Sequence, residues 1–218
     1  MEANKLNEKY NSEKFYFLYR KRVWNHSQNK YIGWERKRGM ICEFNKFLLD
    51  GHSGTFRTNT ITSVPKIKYV ITLDADTRLP LNAGLELIGA MSHILNKPML
   101  SENKEVVIKG YGIMQPRVGI DIIDARKSMF TRIFAGESGT NMYSQAMSDV
   151  YQDNFDEGIF TGKGIYDLEI FNKIFRNKIP ENTVLSHDLL EGSFLRCGLC
   201  TDILLIDGFP YKYNAYMR

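Results

Sequence analysis

The chain has 218 residues, 43% of them hydrophobic and 25% charged, a balance that excludes disorder as the main description and supplies enough apolar surface for a full core. Lys and Arg total 29 against 25 Asp and Glu, and the resulting charge of +4 is too small and too dispersed to indicate nucleic-acid binding. No apolar run approaches the ~20 residues that span a bilayer, and residues 1–10 are polar and mixed in charge, unlike a signal peptide.

Short β-rich runs alternate with helical patterns along the chain. Residues 15–19 read as a strand and 34–49 as a helix, with Met40, Ile41, Phe44, Phe47 and Leu48 on one face and Gly51 as its stop. Residues 67–73 form a buried strand that ends in Asp74. Pro80 and Asn82 open a helix in which Leu85, Ile88, Met91 and Leu95 recur at helical spacing until Lys97-Pro98 ends it. A strand is expected over 106–115, helices over 122–134 and 144–155, and a short strand over 159–161. Gly162-Lys163-Gly164 then leads to a helix that Asp167 can cap, with Leu168, Phe171, Ile174 and Phe175 on its buried face. Ser186 can cap a last helix over 189–197, and 201–206 is the last strand. The alternation predicts one α/β domain over 1–218, with a mainly parallel sheet flanked by helices.

The three cysteines are Cys42, Cys197 and Cys200, too few for a disulfide framework, which favours a reducing compartment. Cys197-Gly-Leu-Cys200 has no second pair to complete a zinc site and reads as two small apolar residues entering a strand. The most informative segment is the strand ending in Asp74-Ala-Asp76-Thr77. Open α/β sheets bind ligands at the carboxyl edge, and two acids there can hold a hard divalent cation that bridges a diphosphate. A solvated turn and a haloacid-dehalogenase type of phosphatase are the competing readings. The phosphatase pattern wants Thr four residues after the first Asp, whereas Thr77 follows Asp74 by three.

Gly158-Ile-Phe-Thr-Gly162-Lys163-Gly164 fails as a Walker loop in both spacing and its last residue, but a Gly-Lys-Gly turn permits close backbone approach to a ligand, with Lys163 as a local cation. Ser186-His187-Asp188 does not suit a nucleophilic triad, because consecutive residues rarely converge on one atom. Asp188, after a loop and near a helix start, is either a general base or an acid placed there by the helix dipole.

Taken together and in order, six segments are more specific than any one of them: Gly33-Trp-Glu-Arg-Lys-Arg-Gly39, Tyr69-Val-Ile-Thr-Leu-Asp-Ala-Asp-Thr77, Gly110-Tyr-Gly-Ile-Met-Gln-Pro-Arg117, Ser148-Asp-Val-Tyr-Gln-Asp153, Phe160-Thr-Gly-Lys-Gly-Ile-Tyr-Asp167 and Leu185-Ser-His-Asp-Leu-Leu-Glu-Gly192. From about residue 10 onward the chain resembles the glycosyltransferase domain of the cyclic β-1,2-glucan synthase family. The resemblance implies a GT-A-like nucleotide-sugar fold, incomplete at both ends, and an inverting transferase that moves glucose from UDP-glucose to the 2-hydroxyl of a growing glucan. It implies Mg²⁺ or Mn²⁺ at Asp74 and Asp76, a diphosphate held by these acids with Arg38 nearby, and Asp188 as general base. Gly162, Lys163, Gly164 and His187 are then expected at the acceptor site. The resemblance also implies a longer bacterial protein at the cytoplasmic face of the inner membrane, of which this chain is a central piece inactive by itself. A non-catalytic nucleotide-sugar-binding module is the alternative from another class.

Overall fold

The structure is a computed structural model that describes residues 2–51, 55–61, 63–135, 150–176, 178–184 and 187–217. The chain forms two compact units, Met1–Lys68 with Asn177–Leu185, and Tyr69–Arg176 with Ser186–Arg218. In the first unit the order is α1 (Glu2–Tyr10), β1 (Leu18–Arg20), a hairpin of β2 (Arg22–Asn25) and β3 (Lys30–Gly33), then α2 (Arg36–Asp50) and β4 (Phe56–Asn59), which pairs antiparallel with β1.

This unit is organised by buried charge around the start of α2. The Arg20 guanidinium, little exposed, pairs with Glu43 at 2.6 Å and donates to the carbonyls of Trp34 and Arg36 at 3.1 and 2.8 Å, tying β1 to the helix entrance. Glu35 accepts from Arg38 at 2.5 Å and from the Asn182 backbone at 2.8 Å. Burial alone would raise the Glu35 pKa, but the Arg38 and Asn182 hydrogen bonds and the nearby guanidinium charges outweigh it and hold the carboxyl below its usual range. Gly39 sits where a Cβ would lie 2.0 Å from the Trp34 carbonyl oxygen, so the helix can leave this turn only with glycine there.

The second unit opens with β5 (Tyr69–Thr72), β6 (Thr77–Arg78) and α3 (Ala83–Ser92), followed by a short hairpin of β7 (Met99–Leu100) and β8 (Val107–Lys109). The long β9 (Ile113–Ile120) leads to α4 (Met129–Phe134), and α5 (Val150–Phe155) precedes β10 (Gly164–Asp167) and α6 (Leu168–Phe175). The chain closes with α7 (Asp188–Leu195), β11 (Cys197–Asp207) and α8 (Tyr213–Tyr216). One five-stranded sheet runs β5-β10-β9-β11-β6. Ala83, Leu87 and Met91 of α3 pack on Met114, Ile165, Cys200 and Ile203 of the sheet. Side chains alternate along a strand, so Tyr166 faces the other side, where Phe171 of α6 packs on it in a tilted pair with ring centroids 4.6 Å apart. Asp167 caps α6 by accepting from Ile170 N at 3.0 Å, as its position predicts.

Several expectations are corrected. The sheet is mixed rather than mainly parallel: β11 is parallel to β9, but β10 is antiparallel to both β5 and β9, and β6 is antiparallel to β11. Alternating strands and helices do not specify the direction in which a strand enters a sheet, and β10 enters reversed. On α3 the buried face is Ala83, Leu87 and Met91, leaving Leu85 and Ile88 exposed, and on α2 Met40 is exposed. The 106–115 strand is two strands broken at 110–112, residues 122–134 form a 3₁₀ turn and a short helix, and 159–161 is not a strand. Residues 136–149, which include the start of the helix expected over 144–155, and Ser186, the expected cap, lie outside the described residues. Cys197 and Cys200 are buried in β11, and burial, with the Asp202 charge adding to it, pushes the Cys200 thiol up to about 12. No helix among the described residues is long and apolar enough to cross a membrane.

Gly39→Ala tests the tight turn. The added methyl must displace the Trp34 backbone, and overpacking of this kind costs roughly 1–3 kcal/mol. Urea denaturation followed by tryptophan fluorescence should show that loss, and an unchanged midpoint would show that the turn yields freely.

Candidate functional site

Because β10 runs antiparallel between β5 and β9, and β11 runs parallel to β9, the carboxyl ends of β5, β9 and β11 share one sheet edge with the amino end of β10. This is the edge at which α/β sheets place ligands. The Asp74–Asp76 turn lies there and is fixed by backbone bonds: Thr77 N donates to Asp74 O at 3.1 Å and Gly208 N to Asp76 O at 2.9 Å. The Thr77 hydroxyl donates to Asp207 at 2.6 Å, joining this turn to the end of β11. Asp76 is exposed and Asp74 partly so.

Lys163, just before β10, sends its largely buried side chain between two of these acids. Its ammonium pairs with Asp207 and stands 3.4 Å from Asp74. Burial pulls its pKa down, but the Asp207 hydrogen bond and charge, joined by Asp74, outweigh that effect and hold it above the usual lysine range. The ammonium therefore stays charged across the physiological range. A second acidic group beside this edge is internally paired: Arg78 binds Asp121, and Lys127 binds Asp124 at 2.5 Å.

The neighbouring residue of the turn meets the other expected acid. Gly162 has φ +88, and a Cβ on it would fall 2.8 Å from Asp188 Oδ1. Only a glycine there lets the carboxylate lie flat against the turn. Asp188 is the first residue of α7 and keeps a quarter of its side chain exposed, whereas His187 before it and Glu191 one turn later are buried. His187 Nδ1 is 2.8 Å from Glu191 Oε1 and 3.6 Å from Asp188 Oδ1.

The turn at 162–163 thus touches both acid sets, Lys163 holding Asp74 and Gly162 covering Asp188. Gly162 and Gly164 are themselves buried, Gly164 pairing with Thr72 inside the sheet. Arg38 lies in the first unit, buried, bonded to Glu35 and to the Ile179 carbonyl and stacked 5.9 Å from the Trp34 ring. Sequence reading missed Asp207, although the signal was the same one that marked Asp74: an acid closing an apolar strand. The exposed Asp76 carboxylate beside the partly exposed Asp74 is an all-oxygen donor pair that suits a hard divalent cation, so the residues present fit Mg²⁺ or Mn²⁺.

No family model matches the chain. It is 43% identical over 206 residues to the cyclic beta-(1,2)-glucan synthase NdvB of Rhizobium meliloti (strain 1021). The match covers 94% of this chain and 7% of that protein. The resemblance carried by the six motifs is thereby shown: over nearly its whole length the chain is similar to a segment of a cyclic β-(1,2)-glucan synthase.

Lys163→Met should leave the half-buried Asp207 carboxylate without its cation and lower stability by about 3 kcal/mol, the low end for a broken buried pair because Asp207 and Asp74 both keep some access to water. Asp74→Asn, at the longer and more open contact, should cost under about 1 kcal/mol. Chemical denaturation of the two variants should show this order, and equal effects would contradict the ranking of the two contacts.

Proposed function

We propose that this chain is a segment of an inverting glucosyltransferase that moves glucose from UDP-glucose to the 2-hydroxyl of a growing β-1,2-glucan. In this reading Asp74 and Asp76 hold Mg²⁺ or Mn²⁺ against the diphosphate, and Asp188 is the general base. The similarity to a glucan synthase supports the reaction class. The observation that carries the site is the single turn that contacts both Asp74 and Asp188, since transfer requires donor and acceptor groups to be held side by side.

Charge counting supports the cation. At the sheet edge three carboxylates, Asp74, Asp76 and Asp207, face one ammonium, Lys163, an excess of 3 − 1 = 2 negative charges. A diphosphate would be repelled there. A divalent ion on the two aspartates supplies the missing positive charge when bound. Lys163 is committed to protein carboxylates and acts by positioning Asp74. Asp188, partly open to solvent beside Gly162, accepts the proton of the attacking hydroxyl as the new carbon–oxygen bond forms and the bond to UDP breaks.

In the longer protein, Asp188→Asn preserves size but cannot take that proton. Transfer should fall about 10²–10⁴-fold while metal-dependent UDP binding stays within a few-fold. Asp76→Ala should damage both. Loss of transfer in His187→Ala with Asp188→Asn near wild type would exchange the roles, and UDP affinity indifferent to metal in the unaltered protein would remove the cation. UDP-glucose binding without turnover in the unaltered protein would favour a non-catalytic module.

A further inference from the structure

We propose that His187, Asp188 and Glu191 form a second metal site, one that takes a borderline transition ion such as Zn²⁺ through His187 Nδ1, Asp188 Oδ1 and a Glu191 carboxylate oxygen. The local sequence brings them together: His187 and Glu191 are four apart at the start of α7 and so share a helix face, with Asp188 beside them. Their candidate ligand atoms all lie within 4.8 Å of one another, the one such group of three or more among the described residues.

Two of the three atoms lack the partners that buried polar atoms normally find. His187 is 6% exposed, and its Nδ1, although 2.8 Å from Glu191 Oε1, is not aligned for a hydrogen bond to it. Asp188 Oδ1 is likewise buried with no hydrogen-bond partner. Buried polar groups are overwhelmingly satisfied, so two such atoms 3.6 Å apart, with a buried carboxylate 2.8 Å from one of them, are placed to share a ligand. The spacing fits an ion. Ligands at 2.0–2.2 Å from tetrahedral Zn²⁺ stand about 3.3–3.6 Å from one another. The two separations from His187 Nδ1, 2.8 and 3.6 Å, lie within about 0.5 Å of that range, and the Asp188–Glu191 pair, within 4.8 Å, closes on the ion by side-chain rotation.

The donor chemistry selects the ion. Imidazole suits Zn²⁺ and its neighbours, whereas Mg²⁺ favours oxygen and retains water. Two carboxylates balance a divalent charge when the imidazole is neutral, and the partial burial of the cluster excludes most competing water. Three protein ligands leave a fourth position open. Ligation through Oδ1 would also anchor Asp188 against Gly162 while leaving its other oxygen uncommitted. No residue is shared with the Asp74–Asp76 pair, so this inference stands independently of that cation; Asp188 is shared with the proposed general base, whose basicity a bound ion would lower.

The test uses Zn²⁺ itself and the 218-residue chain carrying Asp76→Ala, so that the strand-end acids do not compete. Calorimetric titration should show one Zn²⁺ site, and Zn²⁺ should raise the melting temperature by selective binding to the folded state. His187→Ala should weaken binding at least as much as loss of an outer partner does, about 10–100-fold, and abolish the thermal shift. Asp188 is partly exposed, so Asp188→Asn offers a variant that the core does not depend on, and the same weakening is expected. Retention of Zn²⁺ affinity in either variant, or absence of any Zn²⁺-dependent thermal shift in the Asp76→Ala chain, overturns the site.

Discussion

A lysine ammonium cannot be taken from water without carboxylates to receive it, and the sheet edge of the second unit is built around that requirement at Lys163. Its side chain is only 12% exposed, so the ends of two strands that are far apart in sequence must deliver Asp74 and Asp207 to the same point. Thr77 closes the arrangement by donating to the other Asp207 oxygen. The turn that carries Lys163 is then held in place, and with it Gly162, whose missing side chain is the space occupied by Asp188. One desolvated charge therefore fixes the position of both acid sets relative to each other.

How much of this was legible depends on whether the cause was local. Asp74 and Asp76 could be placed at a strand end because an apolar run followed by acids is a short-range pattern, and Asp167 could be placed at a helix start for the same reason. Asp207 carries the same signature, yet its importance comes from Lys163, 44 residues earlier, and that pairing exists only once β10 has entered the sheet. The turn at 162–164 was visible from its glycines. The direction of the lysine was not: its ammonium binds two carboxylates brought from distant strand ends. The reversed β10 has the same origin: strand direction is decided by hydrogen bonding to β5 and β9 together, which periodicity does not encode.

The segment from Gly33 to Gly39 shows how a recurring motif can be explained by packing. The Trp34 carbonyl receives Arg20 and is closely approached by Gly39, Glu35 receives Arg38, and the Trp34 indole donates to Glu181. Each interaction lies within the first unit: the carbonyl at 34 is main chain, but Arg20, Gly39, Glu35, Arg38 and the Trp34 indole each act through their own residue type. The segment therefore has a role in the fold of that unit apart from any chemistry, and the interactions seen for Arg38 are of this kind.

The two acid sets touched by the 162–163 turn differ in the kind of ion they can favour. Asp74 and Asp76 offer oxygen alone at an open edge, where a hard ion can keep waters and accept phosphate oxygens. His187, Asp188 and Glu191 offer nitrogen with oxygen in a mostly buried cluster, which favours an ion that sheds water readily and tolerates low coordination. Ligand hardness and burial thus change together from one end of the turn to the other, so in the proposed reading two divalent ions would be separated by chemistry although the same short segment touches both sets. Selectivity of this sort requires no gate; it follows from an imidazole at one set, its absence at the other, and the difference in access to water.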